Sequence, residues 1–447
     1  MIALIASDLI MRWRVWLGVL AVTVTSGFVG AHAAGLLETG AFHAGAVQEG
    51  LASTSSAVIM FAAITALIVL SSAANLTIAL QLRDYALWQL VGVRPALVAA
   101  VVLSQLGVIG IVGALVGWLL ALPVFPSFFV WVFREWPEMQ GVSLHLGMGS
   151  GLLVIAAVAL TVVLGGLRSA RRASRTPAIE ALRDAEPPRV RMGWIRMILT
   201  VSALAGTTAL AMNLDGDASM SAFSGQAILL TPLIAAALAA AGPIVFPLVL
   251  RGWTSLLPTT ASATWFLARN SARYRLARSS AAIGPLMVAI ALAGGLYTTG
   301  VTLAAAEAAR SGSDAGFDLA PEGVVILLGG PLLLSGVAAA ATVFMSGHTR
   351  EREFALIQAV GSTRGAIVLT AIWEAVAYAV TAALLGVAAT AVGGLVIAGK
   401  LSLSGPIIAF PTIGLIAGGG LALLLAATVL PTVTALRTEI PRTLAVE

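Results

Sequence analysis

The chain has no cysteine, a single lysine (Lys400) and four histidines, and only 10% of its 447 residues are charged. Without cysteine there are no disulfides, no thiolate metal sites and no cysteine nucleophile. The scarcity of charge excludes more. A soluble globular chain carries about 25% charged residues, because charge keeps its surface wet. A chain of this length that is 59% hydrophobic cannot cover itself in polar groups, and its mean hydropathy of +1.00 agrees. Lipid must be its solvent, and no stretch of sequence is polar enough for a sizeable water-soluble domain.

What the chain has instead is long apolar runs. Crossing the hydrocarbon core takes about 20 apolar residues. Ten runs qualify, at 15–34, 57–80, 97–122, 147–167, 194–212, 227–250, 281–303, 323–345, 365–398 and 407–436. The ninth is overlong, which predicts a tilted helix or one that continues past the bilayer. The expected fold class is therefore all-α and polytopic with ten transmembrane helices. Near the start, Arg12, Arg14 and the small residues around Ala31-His32-Ala33 imitate a signal peptide. The apolar run is longer than the 7–15 residues of a signal core, so we expect an uncleaved helix.

Ten crossings put both termini on one side, and the arginines choose it. With a cytoplasmic N-terminus, 22 of the 25 basic residues fall inside, leaving only Arg134, Arg310 and Lys400 outside. Ten carboxylates, among them Glu38, Asp215, Glu307 and Glu322, fall outside. This is the positive-inside pattern, and it predicts a multi-pass protein of the inner (cytoplasmic) membrane with both termini cytoplasmic. The basic sequence pI, near 10.4, then reflects topology and not a nucleic-acid footprint, so no nucleic-acid partner is expected.

The most informative feature is a duplication. Residues 83–92 read RDYALWQLVG and residues 352–361 read REFALIQAVG, with six of ten positions identical. The same offset of 269 pairs Gln105 with Glu374 and Gly117 with Gly386. Each half also opens on a basic approach and closes on a basic-to-proline tail, ARRASRTPAIEALR at 170–183 and LRTEIPRTL at 436–444. Three segments follow: a four-span unit at 1–186, a linking pair at 187–262 and a second four-span unit at 263–447. Parallel duplication of helix sets is a transporter habit. Each decapeptide starts charged and ends on a glycine that can stop a helix. At helical spacing Tyr85, Leu87 and Trp88, or Phe354, Leu356 and Ile357, form a sticky face. That face suits a soluble partner or the lipid headgroups, and duplication in register favours a partner that comes in two copies.

The decapeptides, the tail at 170–183 and the stretch LARNSARYRLARSSAAIGPLMVAIAL at 267–292 resemble the FtsX-like (MacB/LolC/BceB-type) permeases of ABC transporters. The pair of spans at 194–250 resembles only the ten-span, BceB-like subgroup. The resemblance implies a permease subunit that is no enzyme itself, with no cofactor on this chain and with ATP and Mg held by a partner. It also implies two copies of an ATP-binding subunit, docked on coupling helices through Arg83, Asp84, Leu87, Gln89 and Gly92, and through Arg352, Glu353, Leu356, Gln358 and Gly361. Membrane lipids and an accessory membrane or extracytoplasmic protein complete the expected partners. One departure stands out: the family's large extracytoplasmic domain is missing, since the longest outer loops are about 123–146, 35–56 and 304–322.

GLVIAGKLS at 394–402 matches G-x-x-x-x-G-K but has Leu401 where Ser or Thr must ligate magnesium, so we expect no phosphate loop. Glu374 and Gln105 are polar residues within spans. Intramembrane carboxylates are functional suspects, but pairing with the arginine collar explains Glu374 equally well. Phe125, Phe128, Phe129, Trp131, Phe133 and Trp136 crowd one stretch, as an aromatic belt or as a lip for a departing hydrophobic substrate. His32, His43 and His145 are all expected outside, at a spacing that suits no metal motif. The reading reached is an exporter of an amphipathic or hydrophobic compound (lipid, peptide or drug-like). Its alternatives are a non-transporting mechanotransmitter acting on an outer enzyme or sensor kinase, and an ion-coupled carrier using Glu374.

Overall fold

The computed structural model describes residues 13–175, 193–216, 220–258, 262–274, 276–311, 321–359 and 361–436. Thirteen α-helices and one 3-10 turn make up these residues, without a strand among them. They are α1 (Trp13–Ala41), α2 (Ala46–Leu80), α3 (Leu82–Leu90), α4 (Pro95–Val132), α5 (Met148–Ala173), α6 (Trp194–Asn213), α7 (Met220–Ala240), α8 (Gly242–Leu256), α9 (Ala263–Tyr274), α10 (Leu276–Ser311), α11 (Pro321–Ala359), α12 (Arg364–Lys400) and α13 (Phe410–Ala435). Among the described residues nine helices are long and apolar enough to cross a membrane: α1, α2, α4, α5, α7, α10, α11, α12 and α13. The protein is an all-α, multi-pass membrane protein. Both tails singled out in the sequence, beyond Arg175 and beyond Leu436, lie outside the described residues.

The run at 194–212 is the helix α6, which is not among the nine. One of the ten expected runs takes a different form. The run at 227–250 is not one helix. It breaks between Ala240 and Gly242, where α8 begins with Pro243 in its first turn. Proline fixes φ and offers no N–H to the preceding turn, so an apolar count reads through a joint that the backbone cannot.

The chain forms two compact units whose limits cut across the sequence segments. The first holds residues 1–188 and 319–345. Its four long helices pack through small residues. Gly27 and Gly117 bring the backbones of α1 and α4 into direct contact, Gly113 of α4 sits against Thr23 of α1, and Gly110 sits against Ala159 of α5. With lipid outside and no hydrophobic drive between helices, close approach of this kind is what holds such bundles together. The first stretch of α11 belongs to the same unit. Ile326 joins a cluster with Leu36, Leu51, Phe125 and Phe129, Leu334 packs with Val29 and Ala62, and Thr77 Oγ1 donates to Met345 Sδ at 3.3 Å.

The second unit holds residues 189–318 and 346–447. Its core helix is α10, buried along almost its whole apolar length. Around it, Gly386 of α12 meets Ile290, Gly294 meets Ile413 of α13 and Thr390 of α12, and Gly295 meets Thr231 of α7. The helix opening each four-span set, α1 or α10, is the most buried of its set, and the closing helix, α5 or α13, is the least.

Candidate functional site

The first decapeptide is a short helix of its own. α2 stops at Leu80; Gln81, at φ −104° and ψ 6°, is the joint, and α3 follows. The charged Arg83 is exposed. Tyr85 is not on the sticky face the sequence suggested. It is only 1% exposed, its hydroxyl donates to Gln81 Oε1 at 2.7 Å, and its ring meets Trp88 edge-on at 5.6 Å. The exposed apolar row is instead Leu87, Leu90 and Val91, one helical stripe at i, i+3 and i+4. Gln89 also turns inward: its amide donates to the carbonyls of Ala173 and Ser174, both at 3.4 Å, pinning α3 to the end of α5.

Gly92 ends the helix with φ +95°, and Gly361 ends the second copy with φ +97°. In the first copy Gly92 N–H donates to Gln89 O at 3.0 Å and Val93 N–H to Trp88 O at 3.0 Å. This paired bonding is the Schellman termination, which needs a left-handed residue and so favours glycine. In the second copy Gly361 N–H donates to Gln358 O at 2.9 Å. The next helices open in the same register, α4 at Pro95 and α12 at Arg364, 269 positions apart. Around the second decapeptide the backbone is helical through Ala359. The side chains of Arg352, Glu353 and Leu356 lie outside the described residues, while Gln358 Nε2 is buried with no partner.

Residues 324–440 match the family of FtsX-like permease C-terminal domains. That stretch is similar to an FtsX-like permease C-terminal domain. No curated protein matches the chain. The matched stretch contains the second decapeptide, Glu374 and all of α12 and α13. Members of this family are permease components of ABC transporters, not catalytic enzymes, and generally work with an ATP-binding subunit.

Gln105 and Glu374, 269 positions apart in the sequence, are both buried. Leu106, next to Gln105, packs on Gly166 of α5. α4 has 38 residues, about 57 Å at 1.5 Å per residue, against a hydrocarbon core of roughly 30 Å. A helix this long exceeds the thickness of the core. The stretch 394–402 is no loop either: Gly394 to Lys400 are the last turns of α12.

The aromatic stretch divides by helical phase. Phe125, Phe129 and Phe133, four apart, are buried with Leu36, Leu51 and Ile326, Phe128 is half-buried, and Trp131 and Trp136 remain exposed. Any lip is confined to the outward tryptophans. His32 is not in an outer loop: it is buried within α1, its ring 5.1 Å from Phe128, and its Nδ1 lies 2.9 Å from Phe28 O. His43 and His145, a hundred residues apart, meet at Ser143, whose hydroxyl is 3.3 and 3.4 Å from their Nε2 atoms. No group of three or more His, Cys, Asp or Glu side chains gathers among the described residues.

Two features escaped the sequence reading. The three basic residues that break the charge asymmetry are all used locally. Arg134 pairs with the buried Glu322, Arg310 donates to Gly216 O at 3.1 Å, and Lys400 reaches Met212 O at 3.5 Å. In the second unit Trp253, Trp265 and Trp373 form a chain, with ring centroids 6.0 and 5.5 Å apart, and Trp253 Nε1 donates to Thr381 Oγ1 at 2.9 Å. No spacing rule could have joined residues 108 positions apart.

Proposed function

We propose that this chain is the permease of an ABC transporter that exports an amphipathic or hydrophobic compound, and that one chain offers two docking elements to two ATP-binding subunits. The observation that carries the reading is the exposed row Leu87, Leu90 and Val91, closed by a left-handed glycine. The identical residues Leu356, Val360 and Gly361 stand 269 positions later. An apolar row beside exposed charge, on a helix too short to cross the membrane, suits a groove in a soluble protein.

Mechanically, α3 is well placed to transmit force. Gln89 ties it to α5, and the three-residue turn after Val91 leads directly into α4, whose glycines lock it to α1. Closure of two nucleotide-bound ATPases, with ATP and Mg on those subunits, would push both docking elements and shift α4 and α12 against their neighbours. The arginine collar supports a cytoplasmic location for both elements and both termini, in a bacterial inner membrane. The scarcity of polar side chains along the spans supports a substrate taken from the bilayer. On this reading α6 is the tenth crossing, and α6 with α7 and α8 distinguishes the chain from four-span relatives that must dimerise.

Native mass spectrometry of the complex purified with its ATPase tests this. We expect one permease bound to two ATP-binding subunits, falling to one ATPase in the L87D/V91D variant. Two permease chains on two ATPases would overturn the two-element reading. A complex whose ATPase drives no substrate movement across proteoliposomes would favour the mechanotransmitter.

A further inference from the structure

We propose that the second unit holds a binding site for the phosphate headgroup of an anionic phospholipid, built by Arg251, Arg269 and Arg273 beside the tryptophan chain. Arg251 comes from α8; Arg269 and Arg273 come from α9. α9 has 12 residues, about 18 Å of helix, too short to cross the core. Its face toward the unit is Trp265, Ala268 and Ala272, while Phe266, Leu267 and Tyr274 are exposed. This pattern fits a helix lying in the membrane interface.

The arginines are held together rather than scattered. Arg273 Nε and Nη2 donate to Thr254 Oγ1 at 3.1 and 2.7 Å, and Nη2 also donates to Arg251 O at 2.9 Å. Arg269 Nε is buried and meets no acceptor. Among the described residues no carboxylate pairs with any of the three. Burial, and then the fields of Arg269 and Arg251, hold the Arg273 guanidinium below its ordinary pKa. Three like charges gathered with an orphaned donor leave an unmet demand for an anion with several acceptor oxygens. Guanidinium groups suit phosphate because their fixed donors match its oxygens.

A lipid, rather than free phosphate, is favoured by what surrounds the cluster. Leu248, Leu256, Phe266 and Leu267 are exposed around it, an apolar surface for acyl chains. Trp253, half-buried beside the cluster, supplies an amphipathic ring of the kind that favours the headgroup level. Basic pockets between membrane helices are known sites for acidic headgroups.

The test is native mass spectrometry of the full chain in neutral detergent, titrated separately with dioctanoyl phosphatidylglycerol, dioctanoyl phosphatidylcholine and inorganic phosphate. One phosphatidylglycerol should bind at least tenfold tighter than phosphatidylcholine. Each arginine near an acidic headgroup contributes a factor of about 5, so R251Q/R269Q should weaken binding about 25-fold. R251K/R269K should retain most of it, with unchanged helical circular dichroism in both variants. Arg273 is left intact because it ties α9 to α8. Equal binding of the two lipids, or an unaffected glutamine variant, would overturn the site. Displacement of phosphatidylglycerol by millimolar phosphate would overturn the lipid as its occupant.

Discussion

The two decapeptides end alike and begin differently. Both close on a left-handed glycine whose N–H returns to a glutamine carbonyl three residues back, and both lead into a helix of 37 or 38 residues. Their connections to the preceding span diverge. The first is cut from α2 at Gln81, whereas the second continues α11 unbroken from Pro321 to Ala359. The sequence explains the difference locally. Tyr85 donates its hydroxyl to Gln81 at the joint, while the corresponding positions 354 and 350 are Phe and Arg, which cannot make that bond. The duplicated segment has kept its glycine stop, and Leu356 and Val360 in the places of Leu87 and Val91, while Ala359 replaces Leu90 and the hinge has changed. Under the proposed coupling, a push on the first copy would flex at Gln81 and a push on the second would pass along one continuous helix.

The largest effect that would sharpen this comparison lies in the paired glycines. Gly117 faces the backbone of α1 at Val24, Gly27 and Phe28, whereas Gly386 faces mainly the side chain of Ile290. Backbone cannot yield as a side chain can, so G117V should cost about 3 kcal/mol or more and G386A about 1 kcal/mol. Thermal unfolding in detergent would measure both, and equal losses would mean the helix contacts are more alike than their geometry.

Next is the buried polar pair. Q105E places a carboxylate at a buried site and should cost about 2 kcal/mol, while E374Q removes one and should be nearly neutral for stability. If transport by E374Q also persists, Glu374 is structural. A stable E374Q variant that has lost transport would reopen the ion-coupled carrier.

Docking comes third. L87D and L356D should each weaken ATPase binding by about 2 kcal/mol, roughly 30-fold, read by co-purification in a salt series. A loss in only one variant would show that the copies are not equivalent partners. Smallest is the joint itself: Y85F should cost about 1 kcal/mol, one hydrogen bond. Faster hydrogen exchange at 81–84, with no change at 350–353, would check it.

Much of the paired decapeptide is legible in the sequence because it is local. Glycine at 92 and 361, charge at 83 and 352, and six shared residues in ten are visible in the chain alone. Helical phase was the harder part. Tyr85 and Trp88 were assigned to the exposed face with Leu87, yet Tyr85 is buried, because which stripe of a short helix faces inward depends on what packs on it. The same reason divides Phe125, Phe129 and Phe133 from Trp131 and Trp136.

By itself the sequence determined that this is a helical membrane protein, since charge at 10% leaves lipid as the only solvent. It also determined where the duplicated segments stop, because a left-handed turn after a helix is cheap for glycine and costly for other residues. Only the tertiary structure decided how those helices are grouped, placing Leu319–Met345 with the first unit although it follows the linking pair in sequence. It alone brought His43 to His145, and Arg251 to Arg273. Such meetings depend on which small residues let two backbones approach, and that is a property of a pair of helices that neither strand of sequence carries alone.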